Sequence, residues 1–177
     1  TVVGKQLAKN LEKQPITMTF VGDVMLARNV GRHMLKKGID YPFAKVAPIL
    51  QASDITFGNL EGCLIGNKVT GSSKQFVFRS PPRFGEALRN AGFDIMSLAN
   101  NHMLDGGRQG VISTIETLEG LGIVPVGAGR TSQDARAPKF LNAKGWQVGF
   151  LAYSDVFNVP GSGATDTLPG VATVEPI

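Results

Sequence analysis

"FDIMSLANNHMLDGGRQGVISTIETLEGLGIVPV", residues 93–126, carries the argument for the fold. An apolar run, Phe93–Leu98, breaks into a polar cluster and a pair of glycines. Val111, Ile112, Ile115 and Leu118 then recur at helical spacing, and a short apolar run, Ile123–Val126, closes the stretch. Strand, polar loop, amphipathic helix and strand, in that order, make a βαβ unit, because two parallel strands need a long crossover between them.

The same order recurs upstream. "ITMTFV" (16–21) predicts a first strand from its β-branched alternation, and "DITF" (54–57) a second. Between them "ARNVGRHMLKKG" (27–38) and "FAKVAPIL" (43–50) read as short helices. "PRFGEALRNAG" (82–92) reads as another helix, with Pro82 in its first turn and Gly92 past its end. A short strand is expected in "QFVF" (75–78), after the polar loop at 65–74, and a last one in "QVGFLAY" (147–153). Strand starts near Ile16, Asp54, Phe93 and Ile123 lie about 30–40 residues apart, the spacing of an α/β protein with a parallel sheet. Residues 1–15 read as a polar lead-in and 16–177 as one domain, ending in a Pro/Gly/Thr-rich loop with no closing element.

Composition narrows the function. Cys63 is the one cysteine, so neither an intramolecular disulfide nor a cysteine zinc site can form, and a packed or loop role is expected for it. The net charge of +4 comes from scattered lysines and arginines that do not interleave with aromatics, which argues against nucleic acid as a partner. No apolar run approaches the ~20 residues of a membrane helix.

Three strands end alike. The first ends in "VGDVM" with Asp23, the second in "FGNLEG" with Asn59 and Glu61, and the third in "LANNHMLD" with Asn100, Asn101, His102 and Asp105. The carboxyl ends of parallel strands line one edge of the sheet, and ligands bind in the crevice outside it. Carboxylates gathered there resist joint ionisation unless a cation neutralises them, and this oxygen and nitrogen set suits Mn²⁺, Mg²⁺, Zn²⁺ or iron. An anion site built from loop amides and helped by Arg28 or Arg79 is the alternative. Plain structural roles also stand open: Asp23 shaping a turn, Asn59 and Glu61 as a turn and a solvated side chain, His102 as a satisfied buried histidine, Asp105 as the N-cap of the following helix. His33 reads as a surface residue. "GAGRTS" (127–132) starts like a phosphate-binding loop but lacks its third glycine, so a nucleotide-binding role is weak.

Taken together, "FVGDVMLAR", "GNLEG", "SLANNHMLDGG" and "VPVGAGRTSQDARAP…GWQVGFLAYS" resemble the bacterial capsule synthesis CapA family, within the calcineurin-like metallophosphatase superfamily. The resemblance runs from about Ile16 to the end of the chain. It implies a four-layer α/β/β/α sandwich and a role in making or exporting poly-γ-glutamate capsule at the bacterial cell surface. The intact protein would be membrane-anchored, with the anchor outside this chain and with other capsule synthesis membrane proteins as partners. It further implies Asp23, Asn59, Glu61 and Asn101 as ligands of a divalent metal. His102 would be the acid–base group, oriented by Asp105.

The chain departs from the superfamily pattern in two places. Many phosphatases carry Asp-x-His in the first motif, whereas Asp23 is followed here by Val24 and Met25, and the later His-Trp-Gly and Gly-His-x-His elements are missing. The chain therefore reads as the N-terminal portion of such a domain, in which the metal is absent or incompletely held. An uncovered sheet edge or apolar face, and self-association through it, are then expected. Two functions follow: a protein that binds or guides poly-γ-glutamate or another anionic substrate, or a metal-dependent phosphoesterase.

Overall fold

Four strands, β1 (Met18–Val24), β2 (Ile55–Leu60), β5 (Ile95–Ser97) and β6 (Val124–Val126), pair in parallel in that spatial order in the computed structural model, which describes residues 14–66 and 76–174. Each crossover steps one strand further in the same direction. Right-handed crossovers that all step the same way place all their helices on one face of the sheet. That face is covered by α1 (Arg28–Lys37), α2 (Ala47–Gln51), α3 (Gly85–Ala91) and α4 (Gly107–Gly120). The main core forms there, with Met34, Leu50, Leu88, Val111, Ile115 and Leu118 packed with the sheet residues Leu60 and Met96.

The opposite face needs another cover. It is supplied by an antiparallel hairpin, β8 (Lys139–Ala143) and β9 (Trp146–Phe150), whose Leu141, Val148 and Phe150 pack on Ile55, Ile95 and Val126. Phe150 stacks on Phe57 at 6.0 Å. The layers therefore run helices, parallel sheet, hairpin. Lys144 and Gly145 turn the hairpin with φ of 45° and 82°, both positive as a two-residue type I′ turn demands. Lysine is not a usual residue for that turn, so β8 gave no signal in the sequence.

Other elements refine the expectations. The first strand runs later than 16–21 and the second extends past Phe57 to Leu60. The helix expected at 82–92 opens as a 3₁₀ turn, Pro82–Phe84, and ends at Gly92 in the left-handed region, φ 96°. Phe76–Phe78 form no strand, and Gln75 lies outside the described residues. Pairing starts at β4 (Arg79–Ser80), parallel to β3 (Cys63–Leu64), because the Phe78 N–H is given to the Asp105 carboxylate instead of to a neighbouring strand. The closing loop is not without structure: β10 (Gly170–Val171) pairs antiparallel with β7 (Ala128–Gly129). The lead-in, residues 1–13, lies outside the described residues. Gly58, in β2, sits on the helix-covered face; a Cβ there would come within 2.9 Å of Phe93 and 3.1 Å of Val21, so glycine leaves room for these neighbouring side chains to pack over β2.

Candidate functional site

Alternation along β1 would put Asp23 on the face opposite Phe20. The register prevents this. Phe20 lies beside Phe57 and Asp23 beside Asn59, so β1 spends three steps where β2 spends two. One extra residue, a β-bulge at Val21–Gly22, turns Asp23 onto the face of Asn59. The two side chains meet there, Asn59 Nδ2 donating to Asp23 Oδ1 at 2.8 Å. The same Nδ2 donates to Glu61 Oε2 at 3.0 Å, so one amide spans both carboxylates.

The orientation of that amide is fixed from the backbone outward. Asn100 Nδ2 donates to the Leu60 carbonyl at 2.8 Å, and Asn100 Oδ1 accepts the His102 N–H at 3.1 Å. Its amide can therefore point only one way, and Nδ2 also donates to Asn59 Oδ1 at 3.1 Å. With its oxygen engaged there, Asn59 presents N–H groups to Asp23 and Glu61.

His102 and Asp105, both buried, follow on the loop after β5. Asp105 Oδ2 accepts the Phe78 N–H at 2.6 Å and lies 2.7 Å from His102 Nδ1, so Nδ1 is the protonated ring nitrogen in this contact. The side chain of Asp105 is thus engaged by Phe78 and His102 and does not cap α4, whose N-cap position is Gly106. Nε2 is left to face Glu61 Oε1 at 3.9 Å and the Asn158 amide at 3.2 Å. Phe78 stacks on the imidazole with ring centres 4.0 Å apart, and Arg79 Nε holds the Asp105 carbonyl at 2.6 Å. Gly62, at φ 105°, lets this segment in: a Cβ there would lie 2.5 Å from the Phe78 oxygen.

Burial pushes the Glu61 carboxyl above the ordinary glutamate range. The Asn59 hydrogen bond and His102 oppose that rise, while Asp23 and Asp105 add to it.

Five of the six candidate residues, Asp23, Asn59, Glu61, His102 and Asp105, thus lie along one edge. Asn101 is half-buried on the same loop, but its neighbour Asn100 makes the amide contacts. Phe78 and Asn158 join them unannounced by the sequence. Asn158 comes from the Pro/Gly-rich closing loop, and no spacing ties it to the "NNH" cluster. That loop is held by Arg108, which donates to the carbonyls of Gly161, Gly163 and Pro169. Met25 turns its sulfur to the Ala27 N–H at 3.1 Å. Arg28 lies over the rings of Phe76 and Phe78. His33 is exposed and Cys63 buried.

The donor set can be tested against a divalent cation. Among the described residues no three His, Cys, Asp or Glu side chains come together as a group that could hold a metal. The space between the two carboxylates is spanned by an N–H donor. The His, Asp and Glu side chains as they stand do not by themselves make a metal-binding group, and a cation at this edge would also draw on amide oxygens such as those of Asn59 or Asn101 or on donors outside the described residues. The "GAGRTS" stretch makes a different structure from a phosphate loop: Thr131 caps the five-residue helix α5 (Ser132–Arg136), and Arg130 pairs with Glu116 at 2.7 Å.

Comparison with known proteins adds the following. The family profile described as bacterial capsule synthesis protein PGA_cap matches residues 17–173. A capsule biosynthesis protein CapA of Bacillus anthracis is 34% identical over 171 residues, 95% of this chain and 41% of that protein. A PGA biosynthesis protein CapA of Bacillus subtilis (strain 168) is 29% identical over 170 residues, covering 95% of this chain and 44% of the relative. A probable polyglutamine synthesis accessory protein of Mycobacterium tuberculosis is 35% identical over 118 residues, 65% of this chain and 31% of its own length. The chain thus spans about two-fifths of the two CapA relatives.

Proposed function

Because this chain belongs to the bacterial capsule synthesis protein family PGA_cap, we propose that it handles poly-γ-glutamate during capsule synthesis or export. The observation that carries a chemical role is the His102–Asp105 pair. A buried carboxylate holds Nδ1–H at 2.7 Å, so Nε2 carries the lone pair at the sheet edge beside Glu61, where it accepts from the Asn158 amide at 3.2 Å, a contact that an incoming proton donor would replace. An imidazole held in one tautomer is suited to accept a proton from a bound group and return it. Asp105 positions the ring, Phe78 covers its flat face, and Asn158 closes over Nε2.

Asp23 and Glu61 at the same edge support a second reading, a phosphoesterase that draws further metal ligands from elsewhere in a longer chain. The order helices, sheet, hairpin supports the calcineurin-like sandwich on which that reading depends. We also place the protein at the cell envelope, beside membrane components of capsule synthesis. Among the described residues no helix is long and apolar enough to cross a membrane. Self-association through the β1 edge of the sheet belongs to the same reading.

The test is capsule output in cells that depend on this protein. His102→Gln is expected to lower polymer yield at least tenfold, in line with typical losses of an acid–base group of about 10²–10⁴, at unchanged protein level. Unchanged yield would defeat the acid–base role. Release of phosphate from p-nitrophenyl phosphate with Mn²⁺, lost on His102→Gln, would favour the phosphoesterase instead.

A further inference from the structure

We infer that Arg28, laid over the Phe76 and Phe78 rings, is the docking group for a free carboxylate of the acidic polymer. The inference rests on the polyglutamate reading above and gives the site a recognition element that acid–base chemistry alone does not supply. Asp23 and Glu61 make the sheet edge acidic, so a polyanion approaching His102 needs a cation beside it to offset that repulsion.

The arginines around the closing loop and the site differ in one respect. Arg79 is spent on the Asp105 carbonyl, Arg108 on the carbonyls of Gly161, Gly163 and Pro169, Arg130 on Glu116, and Arg136 on Thr173. Arg28 is exposed and makes no ion pair among the described residues. Its guanidinium carbon lies 5.4 Å from the centre of the Phe76 ring and 6.0 Å from that of Phe78. Stacking of this kind fixes the planar group while leaving its N–H edges free for a carboxylate. Phe78 in turn stacks on His102 at 4.0 Å. Arginine, aromatic ring and imidazole therefore form a continuous step from the rim to the reactive nitrogen.

The backbone supplies an independent observation. Arg28 has φ 52°, the left-handed region that a residue with a Cβ rarely occupies, at the junction of the β1 loop and α1. Such strain persists where the surrounding structure over-determines it, and it is concentrated at binding sites. In a γ-linked glutamate chain every unit keeps its α-carboxylate free, so a carboxylate on Arg28 would lay the adjoining linkage along the aromatic step toward His102.

Calorimetric titration of the chain with a short oligo-γ-glutamate tests this, with the same γ-linked oligomer converted to α-carboxamides as the uncharged probe. Arg28→Gln is expected to weaken binding about tenfold or more, the scale of one lost charge-assisted hydrogen bond. Arg32→Gln removes the same charge from an exposed position on the same helix and is expected to change binding less than about twofold, as for a solvated surface charge. Arg28→Lys, which keeps the charge but not the planar stack, should fall between wild type and Arg28→Gln. Equal weakening by Arg28→Gln and Arg32→Gln would overturn the inference and leave unspecific attraction of a polyanion. Wild-type binding that is indifferent to Arg28→Gln would overturn it while sparing the polymer-handling function. No binding of the charged oligomer by wild type, or equal binding of the uncharged one, would overturn both. Near-UV circular dichroism of each variant separates lost binding from lost fold.

Discussion

Asn59 shows how much of the site depends on one amide. Its nitrogen bridges Asp23 and Glu61, and its oxygen is held by Asn100, which is itself fixed by the Leu60 carbonyl and the His102 N–H. Exchange of the amide for a carboxylate, Asn59→Asp, removes both donors and brings a third negative group between the other two. The expected result is a loss of about 1–3 kcal/mol of stability at neutral pH, the usual cost of leaving polar groups unsatisfied. Addition of Mn²⁺ should recover part of that loss, since a cation relieves carboxylate repulsion. Thermal midpoints of both proteins with and without Mn²⁺ check this; a variant as stable as wild type, or indifferent to the ion, would show that the amide does not separate the charges. In the sequence Asn59 and Glu61 were visible as polar residues after a strand. The direction in which the amide points was not, because it is set by Asn100 across the strand ends.

At the scale of elements, β1 is fastened at its start and re-aimed at its end. Asp54, just before β2, accepts from the Thr17 N–H at 2.8 Å, the Thr17 hydroxyl at 3.0 Å and Lys144 of the hairpin turn at 2.9 Å. The Lys144 hydrogen bond, with those from Thr17, holds its carboxyl well below the usual range, at about 2 instead of 3.8. A carboxyl with a depressed folded-state pKa stabilises fully above its unfolded value and loses that contribution as pH falls through the folded one. Asp54→Asn should therefore destabilise most near neutral pH, with the gap from wild type closing between pH 3.8 and about 2. Urea midpoints across that range decide it, and a gap independent of pH would remove the ionic contribution. Gly58→Ala is expected to cost about 1–3 kcal/mol, the range for overpacking, because Phe93, Val21 and Met96 crowd the added methyl. A denaturation midpoint equal to wild type would mean that these side chains shift aside without penalty. The bulge between Phe20 and Asp23 is the feature of β1 that alternation could not announce, since one inserted residue leaves composition and length unchanged.

For the whole molecule, the one-directional strand order leaves β1 at the edge of the sheet, with pairing partners among the described residues on its β2 side only. Phe20 on that strand is 61% exposed although it packs on Phe57 at 5.6 Å. An edge strand carrying an exposed aromatic ring is a template for association. Sedimentation velocity should show mass rising with protein concentration, and Phe20→Ser should reduce that rise. A wild-type chain that remains monomeric at all concentrations would count against it.

Parallel crossovers were legible because βαβ units require long connections, and the stretch at 93–126 states strand, helix and strand in its periodicity alone. The α4 stripe held for the same reason, with Val111, Ile115 and Leu118 buried. So was the collection of polar residues at three strand ends, since parallel strands bring their carboxyl ends to one edge. Tertiary structure alone decided the rest. Asp23 reaches Asn59 through a bulge, Asn158 reaches His102 from a loop 56 residues away, and the β8–β9 hairpin covers the face that the helices leave bare. Local pattern records which residues are apolar and at what period. Which amide faces which carboxylate, and which loop closes over which ring, depends on contacts between segments far apart in the chain.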